Sequence, residues 1–157
     1  MCHYCGCREI PLIKDFVREH EAATDLTGEI ARLLAAGDPV AAGALLAPLA
    51  TELASHWRGE EDGLFRVMRA DPEFAAYIDA LEAEHRGLAD LLATVDLASP
   101  ADRSALLAAF DELHAHIAKE EDGLFPASLI ALTADDWNTS MAAWRSAHPG
   151  RRPSAPG

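Results

Sequence analysis

One stretch of this chain occurs twice. His56-Trp57-Arg58-Gly59-Glu60-Glu61-Asp62-Gly63-Leu64-Phe65 returns 60 residues later as His116-Ile117-Ala118-Lys119-Glu120-Glu121-Asp122-Gly123-Leu124-Phe125. Both copies contain His-x-x-x-Glu. On a helix that spacing puts imidazole and carboxylate one turn apart on the same face. A lone histidine precedes each copy, His20 after Glu19 and His85 after Glu84. Four imidazoles and two carboxylates, repeated two-fold over four helices, can close around a pair of metal ions inside a four-helix bundle. Imidazole with carboxylate suits iron, manganese or zinc, and the absence of thiolate from the set disfavours a soft metal.

The elements that must position these groups can be read from caps and periodicity. A first helix is expected over residues 11–36, ending at Gly37. Asp38-Pro39, Asp71-Pro72 and Ser99-Pro100 each pair a capping residue with a proline at the first helical position, where its missing N–H costs nothing. They open helices expected over 39–69, over 72–96 and from 100. Thr133-x-x-Asp136 caps a shorter fifth helix to residue 147, with Trp137, Met141 and Trp144 on one face. The apolar stripes run in steps of three and four, as bundle seams do. Helix three reads Phe74, Ile78, Leu81, His85, Leu88, Leu92, Val95, and the other three seams hold His20, His56 with Glu60, and His116 with Glu120. The expected architecture is all-α: an up-down-up-down four-helix bundle over residues 11–147 with its short fifth helix C-terminal. A Cys-rich leader at 1–10 precedes it, and a disordered tail at 148–157 follows.

Burying two carboxylates and four imidazoles costs several kcal/mol unless something compensates. The seams hold no Lys or Arg, so metal is the expected source of positive charge. His114 lies two residues from His116 and is expected in solvent. Glu61 and Glu121 either support the ligands from behind or face water, with water favoured. Gly63 and Gly123 permit close helix approach or a bend, Pro126 loosens the fourth helix, and Trp57 reads as packing.

With 157 residues, half of them apolar and few aromatic, the chain fits one helical domain. Its net charge of −13 repels phosphate backbones and anionic lipid, so neither nucleic acid nor membrane is an expected partner. No apolar run reaches transmembrane length, and the start lacks the pattern of a signal peptide. A cytoplasmic location is the expectation, with the three cysteines reduced.

The ordered set His20, His56-x-x-x-Glu60, His85, His116-x-x-x-Glu120 resembles the hemerythrin-like family, the HHE cation-binding domain, over about residues 11–130. The resemblance implies a non-haem di-iron centre. His20, His56, His85 and His116 would be terminal ligands. Glu60 and Glu120 would bridge the irons, with an oxo, hydroxo or water completing the bridge. The oxygen-carrying members have a further histidine one turn after that of the third helix, where this chain has Ala89; one turn before is Leu81. They also end in His-x-x-x-x-Asp rather than His-x-x-x-Glu. By the same resemblance the missing imidazole leaves a coordination position for water or substrate, and reversible oxygen carriage is not expected. Two functions stand open: binding or reduction of oxygen, peroxide or nitric oxide, and a non-enzymatic role as iron sensor, store or donor. The leader Cys2-His3-x-Cys5-x-Cys7 resembles short Cys-rich starts of some bacterial members. Its thiols and imidazole can bind Zn²⁺ or Cu⁺ or form a redox-active lid, folding back over the end of the bundle nearer the site.

Overall fold

The computed structural model describes residues 6–155. Four rods form the bundle. The first is α1 (Ile13–Ala35). The second is built of α2 (Pro39–Ala44), α3 (Leu46–Gly59), a π-helical turn (Glu60–Leu64) and α4 (Phe65–Arg69). The third is α5 (Pro72–Thr94). The fourth is α6 (Pro100–Lys119), a second π turn (Glu120–Leu124) and α7 (Phe125–Ala131). α1 and α5 each pack against both α3 and α6, which closes the ring of four, and α8 (Ala134–Ala147) lies across α3, the first π turn and α4. Among the described residues there is no strand.

The expected caps are in place. The side chains of Asp38, Asp71, Ser99 and Thr133 accept from the backbone N–H groups of Ala41, Glu73, Asp102 and Asp136. Two boundaries differ from expectation. The first helix starts at Ile13 rather than residue 11, because Leu12 takes a left-handed φ of 75°. Its buried side chain belongs to the apolar core, and that burial offsets the backbone strain. The second helix breaks at Leu45, where the backbone tightens to a Leu45-to-Ala42 bond. Pro48 lies just beyond and has no N–H to carry an unbroken ladder back to Ala44.

The residues that bury their side chains fall into two apolar clusters. One holds Phe16, Leu64, Phe65, Met68, Ile78, Leu81, Leu124, Phe125 and Trp144. The other holds Ala23, Ile30, Leu49, Leu53, Leu88, Leu106, Phe110 and Leu113. Along every rod the histidines fall between the two sets, so the polar groups form one layer sandwiched by hydrocarbon.

The tail at 148–157, expected to be disordered, makes contacts with the bundle as far as Ser154; its residues 156–157 lie outside the described residues. His148 is buried, Arg151 makes two bonds to the Glu52 carboxylate at 3.1 and 3.2 Å, and the Ser154 N–H and hydroxyl donate to Asp15. Proline and arginine content suggested disorder, but these polar partners on α1 and α3 satisfy the segment.

Gly63 is where α8 comes closest. A Cβ there would meet Ala143 Cβ at 3.0 Å and the Ser140 backbone at 3.1 Å, whereas one at Gly123 would meet only the Tyr77 hydroxyl, at 3.2 Å. Gly63→Ala should therefore destabilise the fold by about 1–2 kcal/mol, overpacking outweighing the gain in helix propensity. Gly123→Ala should be neutral or stabilising, since a side-chain tip can move. Denaturant unfolding of the two variants checks the contrast; equal effects would contradict it.

Candidate metal centre

The six seam residues converge. His20, His56, His85, His116, Glu60 and Glu120 are all buried, and their ligand atoms gather in two overlapping groups. One is His20, His56, Glu60 and Glu120; the other is His85, His116 and Glu120. Within each pair the imidazoles meet through Nε2, at 3.1 Å for His20 and His56 and 3.0 Å for His85 and His116. The two carboxylates span the pairs. Glu60 has Oε1 3.3 Å from His56 and Oε2 3.6 Å from His85. Glu120 has Oε2 3.0 Å from His20 and Oε1 3.0 Å from His116.

Each imidazole is oriented from behind. Nδ1 of His20 donates to Glu121 at 2.9 Å, of His56 to Glu19 at 2.8 Å, of His85 to Glu61 at 2.8 Å and of His116 to Glu84 at 2.7 Å. A proton held on Nδ1 leaves Nε2 as the ligating lone pair, the usual way a protein fixes the tautomer of a metal-binding histidine. Glu61 and Glu121, for which water was favoured, thus support His85 and His20. Glu19 and Glu84, which precede His20 and His85 in sequence, hold His56 and His116 instead. His114 is exposed, as expected. Phe125 stacks on His20 and Phe65 on His85, with centroids 5.8 and 5.7 Å apart, and Trp57 stacks on His85 at 4.8 Å.

A two-fold relation runs through the whole set. It exchanges His20 with His85, His56 with His116, Glu60 with Glu120, Glu61 with Glu121 and Phe65 with Phe125. Both π turns occupy the same place in it, each carrying an i-to-i+5 bond, from Phe65 to Glu60 and from Phe125 to Glu120. Such wide turns inside α-helices are frequent at functional sites. Here the glutamate that opens each turn points into the layer, and the next one reaches a histidine on another rod.

The arrangement fits a cation. All four oxygens of Glu60 and Glu120 are buried without a hydrogen-bond partner, although imidazole nitrogens stand close by. A metal ion with bonds of ~2.1 Å would hold neighbouring donors roughly 3–3.5 Å apart, and the closest donor spacings run from 3.0 to 3.6 Å. No Lys or Arg among the described residues pairs with either carboxylate. Without metal, protons must serve. Burial acts to lower the pKa of His20, but Glu120 and Glu121 outweigh it and raise it to about 9. Burial lowers that of His56 to about 4, against the pull of Glu19. Burial, and then the charge of Glu120, raise Glu60 well above the carboxylate range. Burial acts upward on Glu120 too, but His116 and His20 overcome it and hold it low.

Ala89 is exposed, so it does not mark the place where a further imidazole would enter. Leu81, one turn before His85, is the buried neighbour and belongs to the apolar cluster. The leader is described only from Gly6. Cys7 opens a 3-10 turn (Cys7–Glu9), while Cys2, His3 and Cys5 lie outside the described residues. Arg8 of that turn donates to Glu121 at 2.8 Å, so the leader touches the carboxylate behind His20.

A family model described as Hemerythrin HHE cation binding domain matches residues 12–128. Comparisons with curated proteins and with solved structures give no match. No helix among the described residues is long and apolar enough to cross a membrane.

Two measurements follow from the geometry. Metal uptake at pH 7 should release protons, because His20, with its pKa near 9, carries one that must leave Nε2 before the atom can ligate. Affinity should accordingly rise with pH up to about 9. Calorimetric titration of the metal-free protein in buffers of different ionisation enthalpy reads this directly; heats independent of buffer would refute it. Glu19→Gln, which weakens the hold on His56, should lower metal affinity by about 10- to 100-fold, measured by competition with a chelator.

Proposed function

The chain belongs to the hemerythrin HHE cation-binding domain family, and from that premise we propose that it is a non-haem di-iron protein that binds or reduces a small oxidant: oxygen, peroxide or nitric oxide. The observation that carries the reading is that Glu60 and Glu120 each reach both histidine pairs. Two ions, rather than one, give both oxygens of both carboxylates something to hold. In this reading His20 and His56 serve one ion, His85 and His116 the other, and the glutamates lie between. Iron held there supplies redox chemistry that no side chain of the chain offers.

The residues set the terms of that chemistry. Glu19, Glu61, Glu84 and Glu121 keep the imidazoles oriented with Nε2 inward. The apolar clusters on either side lower the local dielectric and exclude bulk water. Leu81 fills the direction from which a further imidazole would come, which argues against stable, reversible oxygen carriage. An open cavity of about 720 Å³ between α5 and α6 reaches His85 and His116 past Ala83, Gly87, Leu88 and Ala109. Its walls combine alanine and leucine with Glu84, Glu112 and Lys119, and leave room for a small molecule beside the two histidines.

A non-enzymatic iron sensor, store or donor is the second reading. It is favoured by the tie between Glu19 and the chain beyond the matched segment, through Trp144. Turnover separates the two.

Protein purified in air should contain about two irons per chain by metal analysis, and the reduced protein should consume peroxide or nitric oxide catalytically. Iron uptake without turnover would leave the second reading standing. Failure to hold iron would exclude both. Chelation should also lower the melting temperature, since an ion bound only by the folded state at a thousandfold excess over its Kd contributes about 4 kcal/mol. Equal melting with and without metal would sink the proposal.

A further inference from the structure

The two-fold relation of the site is broken among the carboxylates behind the imidazoles. Of the four carboxylates that hold imidazoles, Glu19 is 4% exposed and Glu121 12%, whereas Glu61 is 37% and Glu84 39% exposed. Glu19 is buried by α8 and the residue that follows it. Trp144 Nε1 donates to its Oε1 at 3.1 Å, and His148 Nε2 packs 2.7 Å from the same oxygen without the geometry of a hydrogen bond. The two rings stack at 4.3 Å, and His148 Nδ1 donates to the Trp144 carbonyl at 2.8 Å. The other oxygen accepts from His56.

The sequence permits this on one side only. Gly59, just before Glu60, would carry a Cβ 3.3 Å from Trp144 and 3.5 Å from His148, so there is no room for a larger side chain where the two rings pack. Sixty residues on, the corresponding residue is Lys119. Its ammonium pairs with Glu84 at the surface, and His116 is left beside the open cavity.

We infer that Trp144 and His148, outside the matched segment, are positioning residues for half of the centre: by fixing Glu19, and through it His56, they make the His20–His56 position hold its ion more tightly than the His85–His116 position. The physical reason is dielectric. Glu19 and Glu84 each accept on both oxygens, but a carboxylate shielded from water orients and polarises its imidazole more strongly than one that water can screen. The inference rests on the two-ion reading, and its consequence is sequential release. The ion beside the cavity leaves first and the strapped one stays.

The test uses the full chain loaded with cobalt(II), whose visible absorption reports occupancy without turnover. Chelator should strip the wild-type protein in two phases of equal amplitude. His148→Ala should speed the slow phase by about 10- to 100-fold and leave the fast phase unchanged. His148→Gln, which refills much of the space beside Glu19 and Trp144 with a polar side chain, should restore much of the slow phase. Glu84→Gln should change the fast phase alone. Should His148→Ala not fold, Trp144→Phe, which keeps a buried ring and removes the donor, decides the matter by the same measure. A single release phase in the wild type, or a slow phase indifferent to these substitutions, overturns the inference. Binding of fewer than two cobalt ions overturns the two-ion reading itself.

Discussion

Everything in this molecule is arranged around six polar side chains that cannot stay buried on their own. Two carboxylates whose four oxygens accept no hydrogen bond stand between imidazoles whose outer nitrogens are already committed. Hydrocarbon lies above and below them. A positive charge between the pairs resolves this, and no Lys or Arg among the described residues supplies it. Removing the charge leaves carboxylate facing carboxylate in a low dielectric, where a proton on Glu60 or His20 is the only relief. The bundle is thus built to be completed by an ion, and its two apolar clusters are held apart by the layer that binds it.

The duplication explains why so much could be read in advance. A repeated His-x-x-x-Glu, with a lone histidine before each copy, fixes ligand type, register and helix count together, and all six residues meet. The layer behind the ligands was not legible, for a geometrical reason. Glu19 and Glu84 adjoin His20 and His85 in sequence, yet neighbours on a helix diverge by about 100°. Each glutamate therefore serves a histidine on a different rod. Which rod depends on packing, which no spacing along one helix encodes. The same limit hid the docked tail. His148, Arg151 and Ser154 sit among prolines and arginines that suggest a loose end, and their partners Glu19, Glu52 and Asp15 are more than ninety residues away.

Symmetry and its breaking divide the labour. The repeated half-sites supply matched ligands, matched π turns and matched aromatic stacks on His20 and His85. The unrepeated parts supply difference: Gly59 against Lys119, a covering helix on one side and an open cavity on the other. One half is covered by α8, and the other lies beside the open cavity.

The π turns have a consequence for helical phase. Along the second rod the buried residues include 56, 60, 64 and 68, and along the fourth 116, 120, 124 and 128. A helix of 3.6 residues per turn advances about 40° past a full circle at every four-residue step. Three such steps would swing Met68 and Ser128 about 120° away from the histidines and out of the core. The wide turn takes up that drift, acting as one surplus residue wound into each rod. A recurrence of four maintained through four residues is thus the written trace of a π turn. Deleting a single residue from either Glu-Glu-Asp-Gly-Leu would restore a regular helix and keep the face of everything beyond it, since Met68 or Ser128 would then follow its histidine by about 20° more than three full turns; what would be lost is the wide turn itself.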